Sequence, residues 1–143
     1  MEFLLYLTPA SQEIYRMISR KVRVVENAPI CRKHDIFGWF DASQNTLTLC
    51  TKKIKRYGYV KYNINETLLH ESVHIAQSCK SFIGYTKPLG IFKRSMILND
   101  RRLEGLNAAV RISGESVRQL EHEAFWMEDK PDKVKYVVQK YCF

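Results

Sequence analysis

The sequence predicts an α+β fold: a small sheet with a hairpin packs on one long helix, and further helices follow. Three observations predict it. Alternating and β-branched runs cluster at 22–25, 35–40 and 46–53, behind a short helical start. A long helical run at 63–79 comes next. From residue 100 onward the pattern is helical, broken only at Ser113-Gly114 and before Pro131. Strands grouped together and then helices is the order of an α+β chain. At 143 residues the chain has the length of a single domain, 1–143.

Each element has its own signal. In "PASQEIYRMISR" (9–20), Ile14, Met17 and Ile18 recur at helical spacing, with Ser11 as the expected cap. Val22–Val25 reads as a strand that Pro29 ends. "DIFGWF" and "TLTLCTKK" flank the turn-rich "DASQN" (41–45), which makes a hairpin with Leu47 and Leu49 toward the core. "NINETLLHESVHIAQSC" (63–79) is helical, with Asn63 and Glu66 shaped as a capping box and Asn65 as a competing cap. Residues 84–99 read as an irregular segment beside a cleft. Asp100 is the expected cap of the helix after it, and Pro131 suits the first turn of the last one.

Composition narrows the function classes. No apolar run approaches the ~20 residues of a membrane span, so no membrane partner is expected. The start "MEFLLYLTPA" lacks the basic region of a signal peptide, and a cytoplasmic location is expected. Cys31, Cys50, Cys79 and Cys142 form no C-x-x-C pair and are expected as reduced, mostly packed thiols, with a Cys31–Cys50 bridge as the alternative. The net charge is +8. "KKIKRYGYVKYN" (52–63) interleaves five basic residues with three tyrosines, a pattern that suits a solvated loop or a nucleic-acid or acidic-protein partner.

"LLHESVHIAQ" (68–77) carries the chemistry. On a helix, His70 and His74 lie one turn apart on one face and can grip one metal ion. Glu71 sits beside them, within reach of a metal-bound water, as the general base of the H-E-x-x-H arrangement. With four His and ten Glu in the chain, a chance match has odds of roughly 1 in 130. The helix is apolar on most of its circumference, so two unpartnered histidines on it would be costly. Zinc, Zn²⁺, is the expected cofactor, although two histidines and a carboxylate also suit iron or manganese.

Catalytic zinc takes three protein ligands. The extension H-x-x-G-x-x-H is excluded, because Gln77 and Lys80 stand at those positions. "LEHEAFWMED" offers Glu121, Glu123 and Glu128 instead. On a helical wheel Glu121 falls inside the apolar arc, Glu123 at its edge, and Glu128 points inward at the helix end. A carboxylate within an apolar stripe asks for a partner, which favours Glu121 as third ligand with Glu123 as the alternative. His122 points away from Glu121 on the same wheel.

"HESVH" (70–74) and "EHEA" (121–124), with a hairpin just upstream, resemble a minimal zincin of the gluzincin type. The layout is similar to small phage and bacterial metallopeptidases, including those that cleave repressors. Phe125 departs from the family pattern, where Asp or Asn is common, so no partner for a zinc histidine is evident there. The resemblance implies a zinc metalloendopeptidase acting on a cytoplasmic protein or peptide substrate. In it His70, His74 and Glu121 are ligands, and Glu71 takes a proton from water and returns it to the leaving amine. His122, Tyr85 and a tyrosine of 57–62 are the candidate oxyanion donors, and Thr46–Thr51 is a candidate edge strand for an extended peptide. The alternative is a basic, nucleic-acid-associated binding protein with a non-catalytic zinc site.

Overall fold

The computed structural model describes residues 1–81 and 86–143, and it has the α+β class. Strands β1 (Arg23–Glu26), β2 (Gly38–Asp41) and β3 (Thr46–Leu49) form one sheet in the order β1-β3-β2. The expected hairpin is present: β2 and β3 run antiparallel, with Gly38 opposite Leu49 and Asp41 opposite Thr46. The Asp41 carboxylate closes its turn by accepting from the backbone N–H groups of Ser43 and Gln44. β1 pairs in parallel with the other side of β3. β3 is therefore the central strand, and all four of its residues are buried. This corrects the expectation of an edge strand at Thr46–Thr51. Both sides of β3 are already hydrogen-bonded, and the edge beside it belongs to β2.

Seven α-helices are present among the described residues: α1 (Pro9–Ile18), α2 (Ile30–Lys33), α3 (Thr51–Tyr57), α4 (Val60–Cys79), α5 (Asp100–Ser113), α6 (Arg118–Met127) and α7 (Pro131–Cys142). Two caps sit one or more residues earlier than expected. Thr8, not Ser11, caps α1, its side chain accepting from the Ser11 N–H. Asn99, not Asp100, caps α5 by accepting from the Arg102 N–H. Pro131 opens α7 as expected, where its missing N–H costs nothing.

α4 is the axis of the molecule. It packs against α1, α3, α6 and α7 and against β2 and β3. Ile64, Leu68, Val73, Ile75 and Ala76 are all fully buried, so the helix has apolar contacts on most of its circumference. It begins at Val60, which overturns the capping box at Asn63 and Glu66. The Asn63 amide donates instead to the Gly58 carbonyl. Asn65 ties the N-terminal segment down, accepting from Thr8 N–H and donating to the Tyr6 carbonyl. Glu66 is drawn to Arg101 and Arg102.

The basic stretch 52–63 is not a loop. It forms most of α3, a break at Gly58 (φ 109°) and the first turn of α4. The cysteines are corrected too. Cys31 pairs with Cys50, and Cys79 with Cys142. The second pair ties the end of α4 to the end of α7. Residues 86–99 are irregular apart from a 3-10 turn at Lys93–Ser95, with Leu89 and Met96 buried beneath. Among the described residues no helix is long and apolar enough to cross a membrane.

Candidate metal centre

The i, i+4 spacing on α4 sends both histidine rings the same way, and α6 brings Glu121 to meet them. Their metal-binding atoms all lie within 4.8 Å of one another. The Glu121 Oε1 is 3.4 Å from His70 Nε2 and 2.5 Å from His74 Nε2. Glu123, the alternative ligand, is elsewhere. It is fully buried between α4 and the 89–91 backbone, where its carboxylate accepts from the N–H groups of Leu89, Gly90 and Ile91 and from the Gln77 amide. The wheel put Glu123 at the edge of the arc, but α6 is covered on two sides, by α4 and by the 86–91 segment.

The second nitrogen of each ring is held. Gln77 is fully buried, and its amide N–H₂ donates to the Leu120 carbonyl and to Glu123. That orientation turns its Oε1 to His74 Nδ1 at 2.8 Å. Glu128 Oε1 lies 3.0 Å from His70 Nδ1. Both acceptors call for a proton on Nδ1, which leaves the Nε2 lone pairs facing Glu121. Three acceptor atoms converging on one point need a cation between them, either protons or a metal.

The charges agree. Burial alone would push both imidazoles down, but Glu121 more than offsets it, and both are raised. Burial likewise works against the Glu121 carboxylate, yet His74 and His70 hold it well below the usual range. A zinc ion fits this donor set of two imidazoles and one carboxylate. Tetrahedral bonds of ~2.0–2.1 Å put donors roughly 3.3 Å apart, so the His70–Glu121 separation already suits and the His74–Glu121 contact must open by under about 1 Å.

Glu71 lies on the adjoining face of α4, buried beside the cluster. Burial raises its carboxyl above the usual range, against the pull of His74 and His70. β2 passes directly over it. A Cβ at Gly38 would stand 2.6 Å from Thr67 Cγ2 and 3.2 Å from Glu71 Cγ, so only glycine lets the strand approach so closely. Phe125 packs edge-on to the His70 ring at 4.5 Å, in a space that Gly105 leaves open.

These groups face a cleft of about 620 Å³. One wall is β2 and its approach, with Phe37, Trp39 and Phe40. The other is α5 and α6, with Ala108, Ala109, Ile112 and Leu120. Trp39 is half-buried and lines this cleft. Of the candidate oxyanion donors, Tyr57 lines it. His122 does not; its Nε2 pairs with the Met96 carbonyl outside the cleft. Tyr62 is spent on Glu66 and Arg101. Tyr85 and Gly84 lie outside the described residues.

The family described as "Domain of unknown function (DUF8637)" matches residues 3–143. The chain belongs to the DUF8637 family. No curated protein and no solved structure matches it. The DUF8637 match spans the three converging side chains, Glu71, and the supports Gln77 and Glu128 alike.

Glu128, which the sequence offers as a third ligand, has a role that sequence reasoning missed: it holds His70 Nδ1. Its signal was its spacing: seven residues after Glu121 is two turns, hence nearly the same face. Arg102 went unnoticed as well. It lies between Glu66 and Glu128, 2.9 Å and 3.4 Å away, and no local pattern announces it.

Proposed function

We propose that this DUF8637 chain is a zincin-like, zinc-dependent metallopeptidase that hydrolyses peptide bonds in a protein substrate. One observation carries the reading: His70, His74 and Glu121 converge, each imidazole has its Nδ1 held, and a buried glutamate adjoins them on the same cleft.

A bound zinc ion would supply a Lewis acid for the scissile carbonyl and would make water acidic enough to lose a proton near neutral pH. Glu71 takes the proton from the attacking water and delivers it to the leaving amine. Burial favours this exchange, since it raises the Glu71 carboxyl and so makes it a better base than an ordinary exposed glutamate. Tyr57 supplies a hydroxyl on the cleft wall for the developing oxyanion. The open edge of β2 aligns an extended segment by backbone pairing, and the Ala108–Ala109 wall receives an apolar side chain.

We infer an oxidising compartment rather than the cytoplasm expected from the sequence. Reducing thiol pools would keep Cys31–Cys50 and Cys79–Cys142 open.

The test is metal content and cleavage together. Wild-type protein purified without chelator should carry about one zinc per chain, and Glu121→Ala should lose it. A peptide library should be cut by the wild type and not by Glu71→Gln, which keeps its zinc. Zinc-free wild type that stays empty after zinc is added would refute the reading. The second reading, a nucleic-acid-associated protein with a non-catalytic zinc site, rests on exposed Lys52, Arg56, Tyr57, Tyr59 and Lys61. Two neighbours are already engaged: Lys55 with Glu2, and Lys53 with the His34 carbonyl. Salt-sensitive nucleic-acid binding alongside full peptide inertness would favour it.

A further inference from the structure

The 86–99 segment leaves two large apolar side chains in solvent. Phe92 is 78% exposed and Ile97 is 84% exposed. Between them stand Lys93 and Arg94, both exposed. We propose that this tip docks on an anionic membrane surface, with Phe92 and Ile97 inserting at the acyl boundary and Lys93 and Arg94 meeting the headgroup phosphates.

Three features argue for that occupant. First, the tip is braced. Leu89 and Met96 are buried at its base, and Glu123 accepts from three consecutive backbone N–H groups at 89–91. The turn is closed by Ser95, whose N–H and hydroxyl both donate to the Phe92 carbonyl. The exposed side chains are thus presented from an anchored base, with little left to order on binding.

Second, the charge is one-sided. Residues 86–99 carry Lys87, Lys93 and Arg94 and no Asp or Glu, while Lys80 is spent on the Pro88 and Leu89 carbonyls. Such a run is attracted to phosphate-rich surfaces and not to neutral ones. Third, the apolar part is one short turn. A stable protein–protein interface needs ~800 Å² from each partner, which two side chains do not supply. A bilayer accepts a small wedge, because each inserted side chain contributes independently of shape matching. The absence of a spanning helix bears on crossing a membrane and leaves binding to its surface open.

The test uses the whole protein and vesicles of phosphatidylcholine, alone or mixed in equal amounts with phosphatidylserine. Wild type should sediment with the anionic vesicles and hardly with the neutral ones, and added salt should weaken it. Phe92→Ser with Ile97→Ser should reduce binding roughly tenfold or more. Lys93→Glu with Arg94→Glu should abolish the preference for anionic lipid. A Phe92→Trp protein should show a blue-shifted emission on binding. All these positions are exposed, so melting and zinc binding should stay at wild-type values, which separates this result from the fate of the metal centre. Wild type that ignores anionic vesicles would overturn the proposal. So would a Phe92→Ser, Ile97→Ser protein that binds as well as wild type, or a wild-type dimer that this variant dissolves.

Discussion

Glu128 offers a sharp test of the proposed metal centre because it touches His70, a proposed ligand, without being one itself. Its Oε1 accepts from His70 Nδ1 at 3.0 Å, and its side chain is almost wholly buried. Glu128→Gln keeps the size and an oxygen for that bond but removes the charge. Hydrogen bonds to charged groups are worth ~1.5–3 kcal/mol and neutral ones ~0.5–1.5, so the exchange loses about 1–1.5 kcal/mol of ligand orientation. That is about tenfold in zinc affinity. Glu128→Ala removes the support outright and should reach the upper part of the ~10–100-fold range for such partners. The assay is zinc competition against a chromophoric chelator, well below the melting temperature of each variant. Both changes also disturb Arg102, which contacts Glu66, Glu128 and Asp129. Asp129→Asn is the control: it touches Arg102 and not His70, so it should lower the melting point and leave zinc affinity alone. Wild-type zinc affinity in both Glu128 variants would refute the argument. So would an equal loss in Asp129→Asn.

Three more expectations follow from the contacts. Glu123→Ala strips the acceptor from the N–H groups of Leu89, Gly90 and Ile91, and should cost at least about 3 kcal/mol in urea unfolding with rapid amide exchange at those residues. Glu66 is pulled down to about 2 because Arg101 leads the groups that outweigh its burial. A carboxyl that binds its proton more weakly when folded loses that stability as pH falls from its ordinary 4.5 toward 2, at most about 3 kcal/mol here, and Glu66→Gln should flatten the fall seen by thermal melting across that window. Opening Cys79–Cys142, which spans a sequence separation of 63, should lower stability by up to about 4 kcal/mol, against about 3 kcal/mol for the separation of 19 at Cys31–Cys50. Single Cys→Ser pairs in urea titrations would show the order reversed if loop length were not the governing quantity.

Local periodicity made much of this legible. The hairpin around 41–45, the long helix, its two histidines and the inward Glu121 are all written in spacings of two, three or four residues. What escaped depends on distant partners. The parallel pairing of β1 with β3 joins strands separated by a helix and another strand, and it alone makes β3 central. The Asn63–Glu66 box failed because α4 starts earlier, at Val60, and Arg101 and Arg102, far along the chain, claim Glu66. Glu128 supports a histidine 58 residues away, and the cysteine pairing cannot be read from spacings at all.

Gln77 and Glu123 join His74 to the backbone at 89–91. From His74 the chain of bonds runs to the Gln77 oxygen, from the Gln77 nitrogen to Glu123, and from Glu123 to the backbone at 89–91. Seating that backbone therefore sets the tilt of a ring that faces the metal position. Binding equilibria joined in this way are reciprocal: whatever factor a seated 89–91 segment adds to metal affinity, the metal returns to the seating. Amide exchange at Leu89, Gly90 and Ile91 should slow when zinc is added, and a protease nick within that segment should be felt at His74. On the proposed reading, metal affinity would report whether the 89–91 backbone is seated, and an unseated segment would leave the ligand set one well-oriented member short.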